Sequence, residues 1–241
     1  MNTISETTIT KWNKYMQNKS DLKLSVDCVI FGYDENNLKV LLMESDMPQF
    51  KDKLSLVGDL VEEDETLRQA AAKVLYRSTN LQDVYLEQVE AFSSLDRHPL
   101  GRVITIAYYS LIKIADYKII DSKGRKLRWV PMNSIVDMAF DHKMILQKCY
   151  ETLKKRVREC PIGFNLLPKK FSLKQLQKLY ETVLQIDMDK RNFRRKLKSL
   201  DVLIDLNENQ DAVSHRPAKL YSFNHERYDQ LINKDGFRFE I

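Results

Sequence analysis

The sequence predicts an α+β fold in two successive parts, a mixed layer of strands and helix over about residues 22–135 and a mainly helical part after Pro131. Two observations support this division. In the first part, apolar and β-branched runs alternate with one stretch of helical period, which is typical of a sheet covered by helices. In the second part, apolar residues recur at helical spacing until strand-like runs return near the end. The length of 241 residues allows one large domain or two smaller ones, and we expect two, since domains commonly have ~100–200 residues.

The first part begins with a predicted β-hairpin. Residues 24–31 and 39–43 are rich in β-branched and apolar side chains, and the turn-forming run DENN lies between them. Residues 102–115 and 125–130 predict two further strands. Residues 65–78 predict a helix, because apolar side chains recur on one side of it: Leu67, Ala70, Ala71, Val74 and Leu75.

The second part begins with a predicted helix over residues 141–158, which Pro161 and Gly163 end. This helix leads out of the first part and joins it to the rest of the chain. Its apolar side could either pack within the chain or pair with a second copy across a two-fold axis. That side consists of Ile145, Leu146, Tyr150, Leu153 and Val157.

Two shorter helices and a second hairpin follow. Ser172 and Gln175 have the spacing of a capping box, so a helix is expected to begin at Ser172. After a short break, residues 189–200 predict a third helix whose first residue, an aspartate, is a plausible N-cap. Residues 202–205 and 219–223 then predict two strands around a polar loop.

This order of bracing helix, tight turn, second helix and hairpin predicts a winged helix-turn-helix domain. The third helix has a basic outer side, as expected of a helix that enters the major groove of double-stranded DNA. We predict that its arginine and asparagine side chains read bases and that its lysines contact phosphates, through Lys190, Arg191, Asn192, Arg194, Arg195 and Lys198. Second-rank phosphate contacts near a helix start or the wing are Lys170, Lys174, Arg216 and Lys219.

The charge distribution supports a polyanionic partner. The whole chain carries a net charge of +5, but residues 141–200 alone hold 16 Lys and Arg against 6 Asp and Glu. Because Lys and Arg displace the counterions condensed around phosphates, such a concentration of basic residues favours DNA. A solvated charged face is the ordinary structural alternative.

Composition indicates a soluble protein, which we expect in the cytoplasm. The chain has no apolar run of the ~18 residues that a membrane helix needs, and no signal-peptide pattern. The cysteines Cys28, Cys149 and Cys160 are widely separated and form no CxxC pair. We therefore predict no membrane partner, no disulfide framework, no metal site and no cofactor.

Residues 59–81, DLVEEDETLRQAAAKVLYRSTNL, resemble the Nudix box in length and hydrophobic rhythm. In a Nudix hydrolase, glutamates of this box bind a divalent metal that activates water for attack on a diphosphate. Here valine, arginine and serine stand in place of the three metal-binding carboxylates, so hydrolase activity is not expected. Glu65 remains, but in the family this residue is chiefly structural. The replaced positions are Asp59 for the box glycine, Lys73 for arginine, Val74, Arg77 and Ser78 for glutamates, and Asn80 for the second glycine.

From about residue 22 onward the chain resembles the Nudix-related transcriptional regulators of the NrtR type, and among them the arabinose-responsive AraR branch. The segments that carry this resemblance are FNLLPKKFSLKQLQKLYE (164–181), DKRNFRRKL (189–197), RPAKLYSF (216–223), FDHKMIL (140–146) and DRHP (96–99).

The resemblance implies a Nudix-like α/β/α sandwich followed by a winged helix-turn-helix domain. It also implies a homodimeric repressor that binds a palindromic operator and releases it when a small molecule occupies the Nudix-like domain. The expected segments are an N-terminal arm or short helix (1–21), a catalytically dead effector domain (22–140), a linker helix (141–160) and the DNA-binding domain (161–241).

A neutral sugar, L-arabinose, is the predicted effector. Asp59 adds a carboxylate to the cleft, and Leu100 stands where the family usually has arginine after DRxP, so both changes disfavour a diphosphate. Carboxylates that accept hydroxyl hydrogen bonds and an aromatic ring under the sugar suit a polyol. The predicted contacts are Asp27, Glu44, Asp59, Arg102 and Trp129, each with an alternative as a strand-surface, ion-pair, loop-anchor or core residue. The alternative functions are a regulator of NAD metabolism that senses ADP-ribose or a related nucleotide and, more distantly, an active Nudix hydrolase.

Overall fold

A computed structural model describes residues 22–34, 37–116, 126–210, 217–233 and 239–240. The predicted N-terminal arm and the wing tip, which includes Arg216, lie outside the described residues. No helix in these ranges is long and apolar enough to cross a membrane.

The first part of the described chain is built on one mixed, seven-stranded sheet. Its strands are β1 (Lys23–Tyr33), β2 (Leu38–Glu44), β3 (Leu54–Ser55), β4 (Val57–Leu60), β5 (Tyr85–Phe92), β6 (Val103–Lys113) and β7 (Leu127–Pro131). β1 is central and runs parallel to β6 along its whole length. β2 returns antiparallel to the second half of β1, which confirms the predicted hairpin, and β4 pairs with the first half.

Two helices, α1 (Leu67–Thr79) and α2 (His142–Glu159), cover the two faces of this sheet. Along β1 the side chains alternate between the faces, as the pleat requires. Cys28 packs in the core beneath α1, whereas Val29 packs in the core on the side of α2. On the predicted apolar side of the box helix, Ala70, Ala71, Val74 and Leu75 are buried and Leu67 is partly buried.

The apolar side of α2 is buried within the same chain, where it joins the core of the sheet to the core of the second part. Tyr150 donates its hydroxyl hydrogen to the carbonyl oxygen of Val183 at 2.8 Å. Near the C-terminal end of the helix, Arg156 donates to the carboxylate of Glu87 on β5 at 2.7 Å. The apolar side of α2 therefore packs within the chain, as one of the two alternatives expected. The helix is fixed to both the sheet and the second part.

The second part is a winged helix-turn-helix unit. Its elements are β8 (Phe171–Ser172), α3 (Leu173–Leu184), α4 (Lys190–Leu200), β9 (Leu203–Asn209), β10 (Lys219–Phe223) and a final helix α5 (His225–Ile232). β10 lies between β8 and β9, so the predicted wing strands pair. The capping box of Ser172 and Gln175 is present, and Asp189 caps α4 by accepting the N–H of Asn192.

Candidate effector cleft and DNA interface

A cleft of about 670 Å³ opens beside the first residues of β1, β6 and α2. β4 and the loop between β5 and β6 complete its walls. The residues that matter most below are Asp27, Gly58, Arg97, His98, Phe140 and His142. Since the first turn of α2 lines the cleft, a ligand there would touch the helix that carries the DNA-binding unit.

A buried ionic cluster forms the floor of the cleft. Arg97, whose side chain is only 4% exposed, makes a bidentate pair with Asp141, with Nε–Oδ2 at 2.8 Å and Nη2–Oδ1 at 2.7 Å. Its Nη2 also lies 3.8 Å from Oδ2 of Asp27, and Nε2 of His142 lies 3.5 Å from the same oxygen. The cluster thus ties β1 and the β5–β6 loop to the start of α2.

Burial is the main influence on the pKa values of Asp27 and His142 in this cluster. It raises the pKa of Asp27, although His142 and Arg97 act in the opposite direction. Burial also lowers the pKa of His142. Because Nδ1 of His142 accepts the backbone N–H of Leu56 at 3.0 Å, the neutral ring carries its proton on Nε2, toward Asp27.

Gly58 leaves the space that the Asp27 carboxylate occupies. A Cβ atom at position 58 would lie 2.1 Å from Oδ1 of Asp27 and 2.7 Å from the carbonyl oxygen of Val26. Any larger residue would therefore displace the buried carboxylate from the cleft floor.

Three of the five predicted effector contacts, Asp27, Asp59 and Arg102, line the cleft. Asp59 accepts a hydrogen bond from Arg77 at 2.9 Å, so its carboxylate is already paired with a cation. Arg102 uses Nη1 to anchor the loop, donating to the carbonyl oxygens of Ser93 and Ser94 at 2.7 and 2.9 Å.

Glu44 and Trp129 lie outside the residues that line the cleft. Glu44 is exposed at the end of β2, with its carboxylate 4.0 Å from the ammonium of Lys126. Trp129 on β7 packs against the core beneath α1, in space left by Gly32, where a Cβ atom would lie 2.6 Å from the indole. Both positions match the ordinary alternatives, an ion-pair partner and a core residue.

Side chains at the box positions pair with other groups of the protein. Arg77 pairs with Asp59, and Ser78 donates its hydroxyl hydrogen to the carbonyl oxygen of Val74 at 2.8 Å. Glu65 accepts from Lys73 at 2.6 Å. Within the described ranges, no group of three or more His, Cys, Asp or Glu side chains could hold a metal ion. Magnesium prefers several hard oxygen ligands, which this donor set does not supply.

The predicted DNA-reading side chains all project from the exposed side of α4. The opposite side is buried through Phe193, Leu197 and Leu200, which fixes the orientation of the helix. Nη2 of Arg195 donates to Oδ1 of Asn192 at 2.9 Å, so these two side chains form one unit. The predicted residues, all of them exposed, are Lys190, Arg191, Asn192, Arg194, Arg195 and Lys198.

The second-rank candidates have diverse surroundings. Lys170 pairs with Glu208 on β9 at 2.6 Å, and Lys219 pairs with Asp205 across the wing at 3.0 Å. Lys174 is exposed in the first turn of α3. Lys174 lines the same pocket as Lys190, the first residue of α4.

Sequence reasoning missed several residues of the cleft. Lys23, Gly58, His98 and Phe140 line it, and Arg97 organises its floor. A signal was available, because the segments DRHP and FDHKMIL contain three of these residues. The ion pair between Arg97 and Asp141 could not be seen in the sequence, since these two residues are 44 positions apart.

Comparison with known proteins supports both parts. A family model described as NrtR DNA-binding winged helix domain matches residues 163–223. The chain is 32% identical over 211 residues to the ADPR responsive transcriptional repressor NtrR of Acinetobacter baylyi. The matched residues cover 86% of this chain and 84% of that protein.

Two solved structures are similar as well. Shewanella oneidensis NrtR complexed with a 27mer DNA superposes with a TM-score of 0.72 at 26% identity, covering 90% of this chain and 97% of that one. The NUDIX domain of the same protein complexed with ADP ribose gives a TM-score of 0.50 at 27% identity, covering 62% and 99%. The predicted Nudix-like domain followed by a winged helix is thereby confirmed. The chain belongs to the NrtR-type family of ligand-responsive DNA-binding repressors, in which a Nudix-like effector domain is joined to a winged helix.

Proposed function

We propose that ADP-ribose or a closely related nucleotide is the effector that releases this repressor from its operator. The observation that carries the proposal is the charge state of the cleft. Three aspartates line the cleft, and two of them, Asp27 and Asp59, lie beside cations of the protein, whereas Asp46 is the third. Lys23 and Arg102 are two cationic residues of the lining, and their backbones are joined by a hydrogen bond from the N–H of Lys23 to the carbonyl oxygen of Arg102 at 2.9 Å. Lysine and arginine side chains are suitable hydrogen-bond donors to the oxygens of a diphosphate.

A nucleotide effector is therefore favoured over L-arabinose. The sugar interpretation relied on carboxylates open to hydroxyl groups and on an aromatic ring at Trp129, which lies elsewhere. It also relied on the loss of arginine at Leu100, whose side chain is 73% exposed at the rim. The relatives point the same way, because one is called ADPR responsive and another was crystallised with ADP ribose.

On the DNA side, we propose that Arg194 and Arg195 read bases while Lys190 and Lys198 contact phosphates. The protein would act as a homodimer, because two recognition helices about one DNA turn apart, roughly 34 Å, can read a palindromic operator. Arg194→Ala is expected to weaken operator binding by about 1–3 kcal/mol and to leave effector binding unchanged. Loss of both activities would mean that the residue is structural.

Communication between the two sites would run through α2. Its first turn lines the cleft, and its middle is hydrogen-bonded to α3 through Tyr150 and Val183. An effector shifts DNA affinity only by its difference in affinity for the two states. A ligand that shifts the Asp141 side chain would also shift the start of α2. This would change the distance between the α4 helices of the two protomers.

Calorimetric titration in the presence of EDTA tests the effector. We expect ADP-ribose to bind without divalent metal and L-arabinose to give no heat. Lys23→Ala and Arg102→Ala should each weaken ADP-ribose binding, whereas Arg128→Ala, an exposed arginine on β7, should not. Binding of L-arabinose alone would refute the nucleotide proposal.

A further inference from the structure

Aromatic rings form one wall of the cleft, around Phe140. The rings of His98 and Phe140 are stacked, with centroids 5.3 Å apart and 10° between their planes. Phe50 packs against Phe140 at 4.4 Å, and His142 approaches it at 4.9 Å. Phe140 thus packs against the rings of Phe50 and His142, and the ring of His98 stacks on it.

The backbone at Phe140 supports a functional role for this wall. Its φ angle is +52°, in the left-handed region that bulky residues rarely adopt. Such a conformation persists only when the surroundings hold it, and such positions are common at ligand sites. Here the next residue, Asp141, is held by the bidentate pair with Arg97.

His98 presents a flat aromatic surface to the cleft. His98 is half-buried and lines the cleft, and one face of its ring lies on Phe140, so a ligand ring could stack only on the opposite face. Burial and the nearby Arg97 lower the pKa of His98, which favours the uncharged ring. Its Nδ1 accepts the backbone N–H of Leu100 at 3.3 Å, which fixes the ring orientation.

We propose that His98, backed by Phe140, is the stacking platform for the purine base of the effector. This inference rests on the proposed nucleotide function and specifies which end of the ligand the wall recognises. Aromatic side chains bind bases through their π-faces, and this requires a flat, preorganised ring. The platform would also discriminate a nucleotide from a free pentose, which carries no base.

The test compares His98→Ala with His98→Phe, which retains a flat ring. Loss of a stacked ring commonly weakens binding by roughly 5- to 150-fold per base. Calorimetry should show that His98→Ala weakens binding of ADP-ribose and AMP about tenfold or more, and that His98→Phe restores most of it. Ribose 5-phosphate, which lacks the base, should compete equally well against both variants and the wild type. Leu95→Ala on the same loop is the matched control, and melting temperature and operator binding report intact folding.

Two results would overturn the proposal separately from the function. Unchanged ADP-ribose affinity in His98→Ala would remove the platform while leaving the nucleotide effector in place. An equal loss for ribose 5-phosphate would mean that His98 shapes the site as a whole. Failure of the wild-type protein to bind ADP-ribose and AMP would instead refute the proposed function, and the platform with it.

Discussion

Removal of Arg97 should strongly destabilise the effector domain. Arg97→Ala deletes a guanidinium that binds Asp141 in bidentate fashion and lies 3.8 Å from Asp27. The side chains of both acids are largely buried, so two carboxylates would lose their shared cation. Breaking a buried pair by removal of one partner costs about 3–5 kcal/mol. For a chain of this size each kcal/mol lowers the melting temperature by roughly 2–4 °C, which predicts a drop of roughly 6–20 °C.

Thermal and urea unfolding followed by circular dichroism would measure this effect. Arg97→Lys should fall between the wild type and the alanine variant, because lysine keeps the charge but not the bidentate geometry. Arg128→Ala should change stability by less than ~0.5 kcal/mol, as is usual for exposed residues. A melting temperature of Arg97→Ala within about 2 °C of the wild type would refute the view that this cluster holds the cleft floor to α2.

Three further substitutions probe the same region. Gly58→Ala should displace the Asp27 carboxylate and weaken effector binding, with operator binding by the free protein retained; calorimetry and DNA titration check this, and unchanged effector affinity would contradict it. Burial lowers the pKa of His142 below its ordinary value of 6.5, so its contribution to stability is complete above about pH 6.5 and is lost as pH falls from there toward the folded-state pKa. His142→Asn should therefore flatten the stability profile below pH 6.5 in urea titrations, and an unaltered slope would exclude this assignment. Tyr150→Phe leaves the carbonyl of Val183 without its donor, at a cost of about 1–3 kcal/mol. It should also reduce the effect of the effector on DNA affinity, whereas unchanged coupling would show that α2 acts through other contacts.

Local signals in the sequence identified most of the fold. The β1–β2 hairpin was predictable because two apolar runs flank a four-residue turn, and the starts of α3 and α4 were predictable because caps act within three residues. β5, a strand at the sheet edge, was missed because Glu87, Gln88 and Glu90 interrupt its apolar residues without the regular alternation of a half-buried strand. The two-residue strands β3 and β8 carry no periodic signal at all.

The site was less predictable, because its chemistry depends on residues far apart in the chain. Asp59 could be recognised as a new carboxylate in the Nudix box, but its pairing with Arg77 required the approach of α1 to β4. That pairing weakens the argument for a polyol. Likewise, His98 and Phe140 lie 42 positions apart, and only the folded chain stacks them.

Release of operator DNA by ADP-ribose in EDTA tests the central claim most directly. Fluorescence anisotropy of a labelled duplex, selected from random-sequence DNA by the protein itself, would be followed while ADP-ribose or L-arabinose is added. We expect ADP-ribose to release the DNA and, by linkage, saturating operator to weaken ADP-ribose binding by the same factor. DNA that stays bound at saturating ADP-ribose, or that is released by L-arabinose alone, would contradict the account.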